Sequence, residues 1–393
     1  MQSQSLTPPF IIAELSANHN QSLDIALKSI EAIATTGANA IKVQTYKPSC
    51  LTLPYRNEYF RIQDGLWKDS YLWNLYENAQ MPWEWHKEIF TLAKSLGLIA
   101  FSSPFSTQGV ELLESLNCPI YKIASFEVMH PILLRAIAQT KKPVIMSLGV
   151  ANEHEIEYAL EILRDNSQIT LLYCISEYPA NISEAKLTNI RKMKQKWQQY
   201  NVSIGLSDHT LGISVPIMAT LCGASMIEKH FILDKKLGGV DSAFSLDISE
   251  FREMVKGVQE ICTLAQDFID EKLDILDMRH AKSAKQQPLS FNTLMNPPKE
   301  NSSDSINLDK PTIQQNIMQD SQMKENRARK GRQFARSLFI AKNVKKGEVL
   351  SLENIACVRP SSGLSPLQLD SILGKTFRSD YQGGIPLLEE YIT

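Results

Sequence analysis

The 393-residue chain has no CxxC pair, no glycine-rich fingerprint after its first apolar run and no surplus of positive charge. It also lacks any apolar stretch near the roughly 18 residues that a membrane-spanning helix needs. Each absence excludes something. The six cysteines, at 50, 118, 174, 222, 262 and 357, are widely scattered, which argues against a disulfide framework and against a four-thiolate zinc site, and suits a reducing cytoplasm. Lys and Arg total 41 against 43 Asp and Glu, a formal charge of −2, so no global field draws the chain to nucleic acid or anionic lipid. The opening MQSQSLTPPF has no basic segment leading into an apolar run, so neither export nor membrane insertion is expected and a cytoplasmic location is.

Hydrophobic residues make up 43% and charged residues 21% of the chain, the composition of an ordinary globular protein. From residue 10 to about 265, short β-branched runs alternate with stretches of helical period, giving eight βα units. The strand candidates are FIIAEL at 10, AIKVQTY at 40, LIAFSS at 98, PIYKIAS at 119, PVIMSLG at 143, QITLLYC at 168, VSIGLSD at 202 and ASMIEKHF at 224. Helices are expected over, for example, 22–36, 83–96 and 248–265. Eight such units close a (β/α)8 barrel. The alternative is an open doubly wound sheet, disfavoured because the nucleotide fingerprint is missing. The long unit between 47 and 82 is expected to lie over the barrel mouth.

The expected division is a barrel over 1–279, a polar linker or insertion over 280–331, and a small β-rich domain over 332–393. The linker ends in the basic cluster RARKGR, which reads as a solvated hinge rather than a nucleic-acid patch. A domain as small as the last has a thin core and is expected to dock against something.

In such a barrel the C-terminal strand ends converge on one mouth. Here those ends carry Glu14, Lys42 with Gln44, Ser102 with Ser103, and Lys122 with Ser125. Later strands add Ser147, Ser176, Ser207 with Asp208 and His209, and Glu228 with His230. One Ser or Lys at a strand end is ordinarily a cap; seven of eight strands ending this way points to a site. Two inward lysines need an anion, and ammonium groups among hydroxyls suit a phosphate or carboxylate. His209 and His230 end adjacent strands, which lie about 4.8 Å apart, so both imidazoles can reach one divalent metal. Mn, Co, Zn and Mg all remain open at this point.

The motifs IAELSANHN at 12, IKVQTY at 41, FSSPF at 101, YKIASFE at 121, GLSDHTLG at 205 and IEKHF at 227 resemble, in order, those of the sialic acid synthase family, which condenses phosphoenolpyruvate with an amino-sugar aldehyde. The C-terminal segment resembles that family's antifreeze-like (SAF) domain. AELSANH, YKIASFE and the stretch from 65 to 90 look most like the family's pseudaminic acid branch, which implies 2,4-diacetamido-2,4,6-trideoxy-L-altrose as the sugar.

The resemblance implies that Lys42, Ser103, Lys122, Ser125, Ser147, Ser176 and Ser207 hold phosphoenolpyruvate, and that His209 and His230 hold the metal: manganese first, then magnesium or cobalt. It assigns Gln44, Glu127, Tyr178, Asp241 and Arg336 to the sugar, with Arg336 delivered to the partner subunit's barrel in a domain-swapped homodimer. Ser176 departs from the asparagine of neuraminate synthases. Glu14 and Glu228 are candidates for activating the attacking water, by position alone. The rival expectations are a neuraminate or legionaminate synthase with the same chemistry, an aldolase forming a Schiff base at Lys122, and a sugar-binding protein with an inert barrel.

Overall fold

The computed structural model describes residues 7–63, 67–280 and 331–393. The expected 280–331 linker therefore lies almost wholly outside the described residues. Eight parallel strands form a closed barrel in chain order: β1 (Phe10–Glu14), β2 (Ala40–Thr45), β3 (Ile99–Pro104), β4 (Tyr121–Ile123), β5 (Val144–Ser147), β6 (Ile169–Cys174), β7 (Ser203–Asp208) and β8 (Met226–His230). Closure is direct, because β1 pairs with both β2 and β8. Each run marked out by its β-branched residues forms a strand, shortened by a residue or more except at β3, which keeps its expected length but shifts one residue to end at Pro104.

The helices over the barrel follow their caps. Helix α1 (Leu23–Ala34) starts at Ser22, whose hydroxyl accepts from the Ile25 amide at 3.3 Å. Two helices, α2 (Pro48–Leu51) and α3 (Leu72–Ala79), lie within the excursion after β2, and α4 (His86–Ser95) completes that unit. Then come α5 (Thr107–Ser115), α6 (Pro131–Thr140), α7 (Glu153–Leu163), α8 (Thr188–Lys196) and α9 (Ser214–Leu221). Helix α7 carries a reciprocal capping box between Asn152 and Glu155. Helix α10 (Ile248–His280) runs well past the expected end at 265. Much of the core is the shell between strands and helices, with Tyr121, Leu134, Met146 and Leu171 fully buried.

The C-terminal domain has an antiparallel pair, β9 (Ser337–Ile340) with β10 (Ile355–Val358), and a short helix α11 (Leu369–Ile372). Its core includes Leu338, Ile340, Val344, Phe377 and Leu387. It docks on the barrel of its own chain, as its thin core predicts, and the excursion after β2 is the main bridge. The Arg359 amide donates to the Leu51 carbonyl at 2.8 Å, Asn57 Nδ2 to the Gly384 carbonyl at 2.8 Å, and the Phe60 and Phe339 rings lie 5.1 Å apart. Arg332, the last residue of the basic cluster, anchors on the barrel by donating to both Glu155 carboxylate oxygens, at 2.8 and 2.5 Å, and to the Val150 carbonyl; residues 327–330 of the cluster lie outside the described residues.

Candidate active site

Strand alternation decides which chemistry faces the barrel axis. On β2 it sends Lys42 and Gln44 inward and Thr45 outward, where the Thr45 hydroxyl meets Ser102 Oγ at 2.6 Å and His86 Nε2 at 2.8 Å. Ser102 therefore belongs to the strand-helix layer, and Ser103 to the site. On β7, Ser207 turns inward, whereas Asp208 pairs outside with Lys229 at 2.6 Å. Asp208 is thus not beside the histidines in function, although it is adjacent in sequence.

The inward groups interlock. Lys42 Nζ lies 2.8 Å from Glu14 and 3.4 Å from Glu228; Lys122 Nζ lies 3.4 Å from Glu228 and donates to Ser147 Oγ at 2.8 Å. Ser207 donates to Glu228 at 3.2 Å, Lys42 to Ser103 at 3.4 Å, and Ser125 and Ser176 share a hydrogen bond at 2.8 Å. The expectation that the lysines need an anion is met in this state by Glu14 and Glu228. Burial pushes the Glu14 carboxyl up despite Lys42. Burial also opposes ionisation of Glu228, but Lys122 and Lys42 outweigh it and hold that carboxyl down. Lys42 is raised, because Glu14 and Glu228 overcome its burial, while burial leaves Lys122 lowered.

Ser176 is held in a tight frame. A Cβ at Gly149 would sit 2.2 Å from its Oγ, and one at Gly331, where φ is +81°, would sit 2.3 Å from its carbonyl oxygen. Both positions need glycine for close approach. Cys174, absent from the expected site, also belongs here, with Sγ 3.7 Å from Ser176 Oγ and 3.9 Å from His209 Nδ1.

The His209 and His230 rings are 5.4 Å apart. His209 Nδ1 donates to the Ile175 carbonyl at 2.9 Å, which leaves Nε2 with a free lone pair. His230 Nδ1 is buried and, among the described residues, has no hydrogen-bond partner, Asp241 Oδ2 lying 3.8 Å away. Burial lowers His209 to about 4 and His230 well below its usual value, so both imidazoles are neutral, the form that ligates metal. Their donor set fits a divalent ion. No group of three or more His, Cys, Asp or Glu forms a metal cage among the described residues, so water or substrate oxygen would complete the shell.

A cavity of about 160 Å3 opens beside this cluster, reached by Ser16, Gln44, Tyr178, His230 and Asp241. Gln44 links cavity and cluster by donating to Glu14 and to Ser16, both at 2.9 Å. The Ala17 amide donates to Asp241 Oδ2 at 3.3 Å, and burial pushes the Asp241 carboxyl up.

Arg336 does not reach this cavity. It is fully buried at the domain interface, donating from Nε to Glu127 at 3.2 Å, from Nη1 to the Cys357 carbonyl at 2.7 Å and from Nη2 to the Phe105 carbonyl at 3.4 Å. It begins the strand side of the small domain, so its fork is spent on protein acceptors, and those acceptors include its own chain's barrel. The arginine that lines the cavity is Arg359. It donates to the same Glu127 oxygen at 2.6 Å and lies 4.7 Å over the Phe126 ring. Among the described residues, its Nε and the second Glu127 oxygen are buried with no hydrogen-bond partner. The RPSSG turn signalled a loop in the sequence, and the arginine opening that turn was the available sign.

Residues 29–270 match the NeuB family and 335–390 match the SAF domain. The chain belongs to the NeuB family. It is 42% identical to the pseudaminic acid synthase of Helicobacter pylori over 97% of each chain. It is 30% identical to the N,N'-diacetyllegionaminic acid synthase of Campylobacter jejuni, over 95% of this chain and 96% of that one. Among solved structures, the spore coat polysaccharide biosynthesis protein SpsE of Bacillus subtilis superimposes with a TM-score of 0.70 at 26% identity, over 98% of this chain and 96% of that one. The match to that structure spans both the barrel and the SAF-domain regions of this chain.

Proposed function

We propose that this chain is a pseudaminic acid synthase, condensing phosphoenolpyruvate with 2,4-diacetamido-2,4,6-trideoxy-L-altrose to give pseudaminic acid and phosphate. The observation that carries the chemistry is the meeting of Lys42, Lys122, His209 and His230 at one barrel mouth. The choice of sugar is supported by identity to the Helicobacter enzyme, which exceeds that to the legionaminate enzyme.

Lys42 and Lys122, with Ser103, Ser125, Ser147, Ser176 and Ser207, bind the phosphate and carboxylate of phosphoenolpyruvate. An arriving anion competes with Glu14 and Glu228 for the two ammonium groups, and the 3.4 Å contacts to Glu228 are the ones most easily exchanged. A divalent ion, manganese in our reading, would be held by His209 and His230 and supply Lewis-acid polarisation of the sugar aldehyde. Gln44, Tyr178 and Asp241 orient the sugar, and Glu127 acts with Arg359 rather than with Arg336 as the cavity-facing partner.

C3 of phosphoenolpyruvate bonds to C1 of the open-chain sugar, water adds at C2, and phosphate leaves with cleavage of the C2–O bond. Of the two glutamates, Glu14 is the better base for that water, because its carboxyl is pushed up whereas Glu228 is held as a carboxylate by two lysines. The small domain closes the barrel of its own chain here; in a domain-swapped homodimer the same contacts would run between two copies. Cytoplasmic action fits phosphoenolpyruvate as substrate, and among the described residues no helix is long and apolar enough to cross a membrane.

The test is mass spectrometry of a reaction holding protein, manganese, phosphoenolpyruvate and the altrose sugar. The proposal expects a nine-carbon acid equal to the two substrates plus water less phosphoric acid. A Schiff base trapped at Lys122 by borohydride, without that product, would replace it with the aldolase reading.

A further inference from the structure

The cavity has two chemically distinct sides. Its polar atoms come from the barrel rim, at Ser16, Gln44, His230 and Asp241, and from Arg359 of the small domain, which is hydrogen-bonded to the Tyr76 hydroxyl of the excursion. Apart from Tyr76 and Arg359 the facing cover is apolar: the excursion after β2 contributes Leu51, Trp67 and Leu75, and the small domain contributes Phe334. Trp67 joins the two sources, its ring lying 6.5 Å from Phe334 and 6.4 Å from Tyr178. Trp67, Leu75 and Phe334 are each only half buried, so apolar surface remains for a ligand to cover. Among these three side chains the indole N–H of Trp67 is the sole hydrogen-bonding group.

A polyhydroxylated chain is poorly matched to such a wall, because each hydroxyl turned toward it gives up water without gaining a partner. A chain ending in methyl groups is well matched. The aldehyde end of the sugar belongs at the polar rim, near His230, so the far end of the carbon chain faces the cover. We propose that Trp67, Leu75 and Phe334 form a specificity wall that receives the methyl-terminated C6 end of the sugar and selects against sugars hydroxylated there. The inference rests on the synthase reading and assigns to these residues the discrimination between 6-deoxy and 6-hydroxy acylamino sugars.

An apolar pocket rejects an added hydroxyl by at most about 100-fold in kcat/KM. The test compares kcat/KM for the altrose sugar and its 6-hydroxy counterpart in the wild type, in Leu75→Asn and in Leu75→Met. The wild type is expected to favour the 6-deoxy sugar by roughly 10- to 100-fold. Leu75→Asn, which offers the hydroxyl a partner at similar volume, is expected to cut that ratio about tenfold, a single hydrogen bond's share of about 1.4 kcal/mol. Leu75→Met keeps the wall apolar and should hold the ratio within about threefold. The ratio is the readout because misfolding would depress both sugars together. Turnover of both sugars by the wild type within threefold, or an unchanged ratio in Leu75→Asn, would overturn the wall while leaving the synthase intact. No turnover of either sugar by the wild type would overturn the synthase reading, and the wall with it.

Discussion

Two buried charge clusters sit within this molecule and are built differently. At the barrel axis two lysines meet two glutamates, in balance: Lys42 with Glu14 and Glu228, Lys122 with Glu228. At the domain interface one carboxylate, Glu127, receives two guanidiniums, from Arg336 and Arg359. Lysine presents rotatable donors on a flexible stem, whereas arginine presents a rigid fork whose donors fix orientation. The first cluster can exchange partners when an anion enters, and the second locks a small domain onto the barrel. Between these two clusters, the lysine-borne charge keeps chemistry available and the arginine-borne charge keeps geometry.

Breaking each cluster separates these roles, and the largest effect lies next to the first. His209→Ala is expected to abolish both turnover and manganese binding by calorimetry; full activity after chelation and metal replacement would show that the metal assignment is wrong. Lys122→Ala should lower kcat/KM for phosphoenolpyruvate by about 10²–10³, the worth of one preorganised charge in a water-poor site. An unchanged KM for phosphoenolpyruvate would remove Lys122 from the anion site.

At the interface the expected losses are of stability. Glu127→Ala leaves two buried guanidiniums without their carboxylate and should cost about 3–5 kcal/mol in urea unfolding. A change below about 1 kcal/mol would mean that the interface is not held this way. Arg332→Ala removes a largely buried bidentate contact to Glu155, whose carboxylate keeps the Asn152 amide, and should cost less, about 1.5–3 kcal/mol by the same measurement. If it cost more than Glu127→Ala, the ranking of the two anchors would be reversed.

Much of the barrel was legible because its signals are local. Eight β-branched runs, each followed by a helical period, gave the strand count, and polar strand ends gave Lys42, Lys122, Ser147 and both histidines. Alternation alone would have turned Asp208 outward, since Ser207 and His209 flank it on the inward face. What stayed hidden depends on closure. Glu14 meets Lys42 as its register partner on the next strand, but Glu228 comes within reach of Lys42 only because β8 closes against β1, a pairing between the two ends of the barrel sequence. Arg336 and Arg359 look alike in sequence, and only docking shows one sealed at the interface and the other at the cavity. Helix α10 outran its expected end because no glycine or proline stops it.

The most direct test is phosphate release from phosphoenolpyruvate by manganese-loaded protein, measured side by side with the altrose sugar, N-acetylmannosamine and the legionaminic precursor, each with a chelator control. Release with the altrose sugar alone, lost on chelation, is the predicted result. Faster release with either other sugar would contradict the substrate assignment, and no release with any of the three would contradict the synthase itself.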